Sequence, residues 1–562
     1  QSIYRRCQVF DIIIESNLRK IVDSSYMHQR TKKQFITFLA IFFISGYTYC
    51  QSVPIPLHHP VNDFILRLNT TNTIQPVHLG MRPFTVDQVV EILDKVSIKD
   101  LTIKEQQILN RFKQEFDFKH FEKGVRGPWQ KKEISKMANS FLKPYDAKNN
   151  EIRFLTYNDD ILKLWADWEE IFSIDIQDTI QRAFYNDRVT ISGKFTNQLS
   201  FHSKYSLFRI GYKEGHPLPE EFKQGFALIE ENTDWLVWDV SEASLHFKNV
   251  IMNAEISKIP IYWGFSKKDS PVLSANVQSF SFFRFSKDYK RIRVQSFMGS
   301  LDPFGDNRKG SIEGKHIAAH RFEIDLTSSL TVSFNEMVIY ARRNIELGYL
   351  LPINLFWSEE HGLGNRDNVL MSFDAMWNAK PGLSIYGTFF WDELSWFKLL
   401  SPWWGNKFIF QSGFHWVPFT NPQFPDFRIE FTASRPWVYT HNDSLLNYTS
   451  AKHGLGFPLG PNSQLIFMEM NMWPSYKSQL SFNMHYIKKG DGEGSNSNDN
   501  YTFDDPILDE ETKMLMGKVN SSLNIGIRFN YRITATITIE GNSSYDTNDE
   551  VFSGRFGLWL NY

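Results

Sequence analysis

The chain has 562 residues, a formal net charge of −2 and 15% aromatic side chains, with 16 Trp and 49 Phe. A prior of roughly 100–200 residues per domain allows several domains, but barrels run longer as one unit. The near-neutral charge and the lack of a Lys/Arg block exclude a global attraction for nucleic acid.

In chain order, Met27 opens a secretory signal. Arg30, Lys32 and Lys33 form its basic start, and FITFLAIFFI (residues 35–44) its apolar run. Thr48 and Cys50 stand at positions −3 and −1 of a cut before Gln51. The run is shorter than the roughly 20 residues of a spanning helix, which favours cleavage over a membrane anchor. Acylation of Cys50 is the alternative, against which stands the bulky neighbour Tyr49. Residues 1–26 read as upstream translated sequence and 27–50 as the signal peptide. Cys7 and Cys50 are the two cysteines, and both precede the cut. The mature chain is thus expected to have no disulfide, zinc–thiolate site or cysteine nucleophile. After Gln51 no apolar run is long enough to span as a helix. A secreted chain of this kind is soluble, or it enters a membrane as a closed barrel. Only helices and closed barrels pair every backbone group in lipid.

Thr85 is followed by Gln88, with Val86, Val89, Val90 and Leu93 at helical spacing. Thr102 and Glu105 repeat this arrangement before Ile108, Leu109, Phe112 and Phe116. Both are capping boxes that open amphipathic helices. The apolar stretch 61–68 suggests a further helix. Residues 51–145 are expected to form a small helical domain, either with its own core or closing one end of something larger.

Residues 146–562 read as strands. Val189 and Ile191 alternate with polar residues, as do Ile292, Val294, Ser296 and Met298. Phe322, Ile324 and Leu326 follow, then Leu330, Val332 and Phe334. The tail shows the pattern best: Leu523, Ile525, Ile527 and Phe529; Ile533, Ala535, Ile537 and Ile539; Phe552, Phe556, Leu558, Leu560 and Tyr562. Period-two alternation puts one face in an apolar medium and the other in a polar one. A soluble sandwich gives the same signal. The signal sequence favours a membrane barrel, as do Trp391, Trp396, Trp403, Trp404 and Trp416 near the ends of apolar segments. The final aromatic strand ending at Tyr562 is similar to the ending of outer-membrane barrels. About 410 residues, at roughly 10 per strand plus connections, suit 16–20 strands, with 18 favoured. The polar stretches 299–316, 435–460 and 488–511 read as exterior loops. GDGEGSNSNDNYTFDD, in the last, is too polar to order itself by burial, and its acidic spacing does not match an EF-hand.

Several segments carry a resemblance. IPIYWGFSKKDSPVLSANV (residues 259–277) contains Trp263-Gly264 and Ser274-Ala275-Asn276. Tyr349, Pro352, Asp367-Asn368 and IYGTFFWDEL, with Tyr386, Gly387, Asp392 and Glu393, follow in order. Asn447-Tyr-Thr and the glycine-rich stretch from Gly454 to Gly460 come later, and SVPIPLHHPVNDFILRL with MRPFTVDQVVEIL precede them all. The chain resembles the capsule assembly Wzi family along nearly all of its expected mature length. Phe457 departs from the pattern, where a more polar residue is expected. The resemblance implies an outer-membrane barrel with a periplasmic helical domain and extracellular loops. It also implies a lectin-like role in attaching or organising capsular or extracellular polysaccharide, without catalysis or cofactor. Outer-membrane lipid and the polysaccharide export machinery are further expected partners.

Sugar recognition needs aromatic faces for C–H stacking and planar polar groups for hydroxyls. Trp357, His361, Arg366, Asp367 and Asn368 cluster in one segment, Trp403 and Trp404 in a second, and Arg435 and Trp437 in a third. These are the candidate polysaccharide-binding residues. The alternative for each Trp is an interfacial anchor, for Asp367-Asn368 a turn or lumen hydrogen-bond network, and for Trp263-Gly264 barrel packing. A porin is the first alternative function. An outer-membrane glycosidase or lipase is the second. The adjacent carboxylates Asp392 and Glu393 are expected to point to opposite faces of a strand and so not to converge on one bond. No G-x-S-x-G or H-E-x-x-H motif is present.

Overall fold

The computed structural model describes residues 53–74, 77–116, 123–145, 153–195, 198–216, 218, 228–231, 234–303, 314–398, 401–502 and 511–562. The expected signal peptide and the upstream segment lie outside them. Eighteen antiparallel strands close into one barrel. In chain order they are β1 (Leu162–Gln177), β2 (Ile180–Phe195), β3 (Leu199–Gly211), β4 (Trp235–Phe247), β5 (Asn253–Lys258) and β6 (Ser281–Tyr289). Then come β7 (Ile292–Leu301), β8 (Lys315–Asp325), β9 (Leu330–Ala341), β10 (Asn368–Lys380), β11 (Leu383–Glu393) and β12 (Lys407–Trp416). The last six are β13 (Asp426–Ser434), β14 (Ser463–Ser475), β15 (Ser478–Gly490), β16 (Val519–Arg532), β17 (Ile537–Asp546) and β18 (Val551–Asn561). β18 pairs with β1 from Ser553↔Gln177 to Asn561↔Glu169, which leaves no edge. No helix among the described residues is long and apolar enough to cross a membrane.

The alternation decides the two faces. On β1 Trp168, Phe172 and Ile174 stand exposed on the outside, while Trp165, Asp167 and Asp175 are buried inside. On β18 Phe552, Phe556 and Leu558 form the outer parity, and Arg555 points inward to Asp175 at 3.0 Å. On these two strands an apolar outer face, as lipid requires, thus backs onto a charged inner one. One stretch departs from the sequence reading. Ile533 and Ala535 do not belong to an alternating strand. They lie in the turn between β16 and β17, where Thr534 Oγ1 accepts from the Ile537 N–H at 3.0 Å. A hydroxyl that satisfies the local backbone outweighs the apolar spacing.

Both the first and the last strand have their terminal ends, Leu162 and Asn561, at the end of the barrel where connections are short. The long connections 342–367, 394–406, 435–462 and 491–518 gather at the opposite end. The short-turn end is closed by α1 (Pro60–Thr70), α2 (Val86–Asp94) and α3 (Ile103–Glu115). The capping boxes at Thr85 and Thr102 are both formed. These helices share one core with the barrel: Phe64, Val89, Leu93, Ile108 and Phe112 pack with Trp165, Met376, Tyr386 and Trp473. Arg67 clamps them, reaching Glu105 at 3.4 Å, Asp426 at 3.2 Å and the carbonyls of Phe419 and Thr420 at 2.6 and 3.0 Å. α4 (Lys131–Leu142) stands off, with Ser140 its one buried side chain.

The lumen itself is filled by chain. Residues 259–280 leave the wall and form a small sheet in which Tyr262–Trp263 pairs with Met81–Arg82 and with Leu273–Ser274. Trp263 donates to Gln295 at 3.2 Å and packs edge-on against Phe297 at 5.3 Å. The connection 435–462 folds in from the same long-loop side. Tyr439 and Tyr448 donate to the carbonyls of Pro271 and Val272 at 2.6 and 2.7 Å, and the Ser274 N–H donates to Leu455 O at 3.0 Å. Phe457 is fully buried in this core, and its N–H donates to the Tyr439 hydroxyl at 2.9 Å. An apolar residue suits that position because it fills the lumen core. Gly264 has φ +142°, and a Cβ there would meet Ser270 Oγ at 2.5 Å, so the turn requires glycine.

Two outcomes follow. Leu558→Arg puts a charge on the lipid-facing parity and is expected to cost about 2–4 kcal/mol if it lies near the midplane, less toward the interfaces. Refolding yield into vesicles, read by heat-modifiable migration, checks it. Arg67→Met leaves Asp426 and Glu105 buried without their cation and is expected to destabilise the assembled protein by about 3–5 kcal/mol, read by denaturant titration of the barrel.

Candidate functional site

The expected sugar-contacting residues fall into two groups that lie on different sides of the barrel wall. The first sits in the long-loop mouth. Trp404, Trp437 and Tyr501, from three connections, form one buried cluster against which Trp403 packs half-exposed. Trp404 and Trp437 meet Tyr501 edge-on at 5.1 and 5.7 Å. Lys407, inward on β12, donates to the Tyr501 hydroxyl at 2.8 Å and lies over the Trp404 ring at 5.1 Å. Burial holds the Tyr501 phenol above its ordinary value, so it remains a neutral acceptor for that ammonium. Arg435 donates to the carbonyls of Trp403 and Thr512 at 3.2 and 3.1 Å. The Lys398 ammonium sits 4.8 Å over the Trp403 ring. Trp437 adopts φ +66°, and its N–H donates to Gly494 O at 2.8 Å. Trp404, Arg435 and Trp437 thus build the mouth, and Trp403 is the member with a face toward solvent.

Around it the mouth surface is rich in amides and hydroxyls. Asn442, Ser444, Lys452, Asn496, Asn498 and Asn500 are exposed. The polar run at 491–502 is held by hydrogen bonds together with the burial of Tyr501 in the aromatic cluster. Lys489 Nζ donates to the carbonyls of Leu459, Pro461 and Ser495 at 2.7, 2.5 and 2.6 Å. Asn498 reaches Lys452 O at 2.7 Å. Residues 503–510 lie outside the described ones. Burial, then Lys407, pushes His441 down to about 4, so it is neutral at neutral pH.

The second group belongs to the connection between β9 and β10, which contains α5 (Phe356–Gly362). Asp367 is buried, accepting from Arg343 at 2.7 and 2.5 Å and from the Tyr349 hydroxyl at 2.7 Å. Burial and the bond to Asp367 raise the Tyr349 phenol. Asn368 donates to Leu446 O at 3.0 Å. Through these bonds the two residues fix the root of the connection. Trp357, His361 and Arg366 are exposed, the first two ring to ring at 4.4 Å. α5 lies against the outside of the wall, with Phe356 on His320 at 4.3 Å.

The girdle readings divide in the same way. Trp416 is on the outer parity of β12, exposed beside Phe427, and Trp391 stacks with Phe373 and Phe389 on the outer wall. The side chain of Trp396 lies outside the described ones. Asp392 and Glu393 straddle a register shift in the β11–β12 ladder. Both therefore approach the Lys407 side, contrary to the strict alternation expected of neighbours. Asp392 accepts from the Tyr439 N–H at 2.7 Å, and Glu393 pairs with Lys407 at 2.9 Å. Each has a structural partner. Among the described residues no group of three or more His, Cys, Asp and Glu side chains is arranged to hold a metal.

Beside the filled core, the seam between β1–β3 and β15–β18 keeps cavities of about 450, 520 and 380 Å³ that share walls and are lined by charged and apolar side chains. Asp175, Arg182, Arg528, Arg555 and His485 line the one toward the long loops. The sequence reading did not find this tract. Arginines on the inner parity of β2, β16 and β18 were the available signal.

No family model matches the chain, and no curated protein matches it. Among solved structures, the chain is similar to Wzi of Escherichia coli, described as an outer-membrane protein involved in group 1 capsule assembly and a carbohydrate-binding β-barrel. The match has 13% identity and a TM-score of 0.58, over 91% of this chain and 99% of that one. It is also similar to Pseudomonas aeruginosa OpdK bound to vanillate, at 8% identity and a TM-score of 0.41, over 72% and 98%. The Pseudomonas aeruginosa outer-membrane protein OprD matches at 8% identity and a TM-score of 0.40, over 71% and 94%. The fold is that of an eighteen-stranded outer-membrane barrel, and the first of these structures shares it over nearly its full length.

Proposed function

We propose that this protein binds a capsular or extracellular polysaccharide at its long-loop mouth and holds it at the cell surface without cleaving it. The long loops then face outward from the cell and α1–α3 face the periplasm. The observation that carries the reading is Trp403, half-exposed on a buried Trp404–Tyr501–Trp437 support and flanked by Lys398, Arg435 and surface amides. A sugar ring offers a C–H face to such an indole and hydroxyls to such amides. Each hydrogen bond yields only about 0.5–1.5 kcal/mol because water already serves the hydroxyls. A polymer offsets this with repeats that raise effective concentration. The shared fold of the carbohydrate-binding Wzi barrel supports the same reading. Asp392 and Glu393, bound to Tyr439 and Lys407, speak against a glycosidase pair.

A second reading, solute passage, is favoured by the cavities along the seam. Single-channel recording on the purified protein separates the two. Steady anion or cation conductance supports passage, and a silent bilayer supports a binding barrel.

Trp403→Ala is expected to weaken binding of the host's own polysaccharide by roughly two- to tenfold per site, with barrel abundance and heat-modifiability unchanged. A cell lacking the protein sheds polymer of full length into the medium. Unchanged attachment in that strain rejects the function. Polymer shortened only when the protein is present establishes an enzyme instead. Normal retention by the Trp403→Ala variant at normal abundance moves the site elsewhere on the mouth.

A further inference from the structure

The connection 342–367 does not rise from the mouth but folds down the outside of the barrel. The parity of the wall shows this. On β7, β8 and β9 the lumen core takes Phe297, Ile317, Ala319, Met337 and Ile339. The intervening residues Met298, Ala318, Val338 and Tyr340 therefore point outward, where lipid would meet them. They are buried all the same, in a separate cluster with Tyr349 and Phe356 of the connection. One row deeper on the same outer face lie His320 and Glu336, paired across the ladder. Both are buried, with His320 Nε2 3.0 Å from Glu336 Oε2. A bare carboxylate on a lipid-facing wall is costly. Here its two oxygens accept the N–H groups of Phe356 and Trp357, at 2.9 and 2.7 Å, and the Phe356 ring covers His320.

Glu336 stands five residues from the strand end at Ala341. At about 3.4 Å per residue and a tilt near 40°, that is roughly 13 Å down the wall, about half the height of an apolar belt. Between 345 and 357 the face of the connection turned away from the wall is apolar. Ile345, Leu347, Leu351, Ile353, Leu355 and Trp357 are exposed, Ile353 by 86%. Soluble surfaces do not carry such a run. It continues directly into the outer belt, where Phe322, Phe334, Phe373, Phe389 and Phe410 line an apolar groove.

We infer that the segment 342–367 lies in the outer leaflet of the membrane, held to the wall by Glu336, with Leu351, Ile353, Leu355 and Trp357 among lipid acyl chains. The continuity with the lipid-facing belt selects lipid as the occupant. An in-plane element of this kind buries an apolar face several ångströms into the leaflet.

The test uses the full chain with Cys7 and Cys50 replaced by Ser, reconstituted in phosphatidylcholine vesicles. A small fluorophore is placed in turn at Ile353→Cys, Leu351→Cys, Phe373→Cys and Asn496→Cys. Vesicles carrying acyl-chain-brominated lipid are expected to quench the labels at 353 and 351 within about twofold of the label at 373, and to leave the mouth label at 496 unquenched. Quenching at both 351 and 353 no greater than at 496 overturns the inference. So does a label at 353 that is shielded from bromine and cross-links to a second copy, which would make the face a contact between copies. Glu336→Gln is expected to lower quenching at 353 while leaving 373 unchanged. Phe356→Ala serves the same purpose if that variant does not insert.

Discussion

In lipid every backbone N–H and C=O must be paired within the protein, and the β18–β1 ladder is what completes that pairing here. Once the sheet closes, each strand has one face in hydrocarbon and one in an enclosed space, and the period-two pattern follows. The seam also shows what the enclosed side permits. Asp175 on β1 pairs with Arg182 on β2 at 2.6 Å and with Arg555 on β18 at 3.0 Å. Charges inside the wall meet water or opposite charges at low cost. Arg321, buried on β8, similarly lies between Glu323, Asp374 and Asn335. The same group on the outer parity has neither water nor a lumen partner, and the fold must bring it cover. Glu336 is such a group, and the cover is a whole connection.

Closure leaves a lumen too wide for side chains alone, and the chain fills it unevenly. From β6 to β14 the part of the interior toward the long loops is apolar, built by residues 259–280 and 435–462 against the wall, while paired charges such as Arg321 with Glu323 and Asp374 occupy the part toward the short turns. Along β1–β3 and β15–β18 it is hollow. Two of the sequence stretches that carried the family resemblance, 263–276 and 454–460, touch inside the apolar half. Ser274 N–H donates to Leu455 O at 3.0 Å, and Asn276 to Gly454 O at 3.4 Å. Their pattern records how two loops close on one another, which explains why Trp263-Gly264 reads as packing and why Phe457 departs without harm. A filled half-lumen also stiffens the mouth above it. Asp392, on the wall, holds the Tyr439 backbone, and Tyr439 reaches down to Pro271.

Much of this was legible in the sequence where one face is lipid and the other polar. β16 and β18 alternate without interruption, and the capping boxes at Thr85 and Thr102 each needed only a threonine and its partner three residues on. The strand range of 16–20 resolves to the favoured 18. Alternation blurs where both faces are apolar. In β9 the run Met337-Val338-Ile339-Tyr340-Ala341 has one parity against the lumen core and the other against the covering connection, so period two disappears. The turn at 533–536 was missed because a threonine hydroxyl decided it. The positions of Asp392 and Glu393 were misjudged because a register shift is invisible in a sequence. Local composition cannot say on which side of a wall a loop comes to rest. Trp357 with His361 and Trp403 with Arg435 look alike as text. One signal was available: Glu336 falls on the outer parity of β9, and a carboxylate there demands a partner from outside the sheet.

That demand separates the two aromatic groups by chemistry as well as by place. At the mouth the backbone polar groups of the loops pair with one another, the cations Lys398 and Lys407 stay beside indole and phenol rings, and Arg435 donates to the Trp403 carbonyl. The remaining surface is amide and hydroxyl, which water solvates and a sugar can share. On the outer wall the polar atoms are consumed: Asp367 by Arg343 and Tyr349, and Glu336 by the N–H groups of α5. What is left to face outward between 345 and 357 is apolar: Ile345, Leu347, Leu351, Ile353, Leu355 and Trp357. A hydroxyl-rich polymer gains little from aliphatic side chains whose polar neighbours are already paired, whereas acyl chains gain from them in proportion to area. The same residue types therefore serve opposite media, and the backbone hydrogen bonds around them, rather than the aromatic rings, determine which medium each group meets.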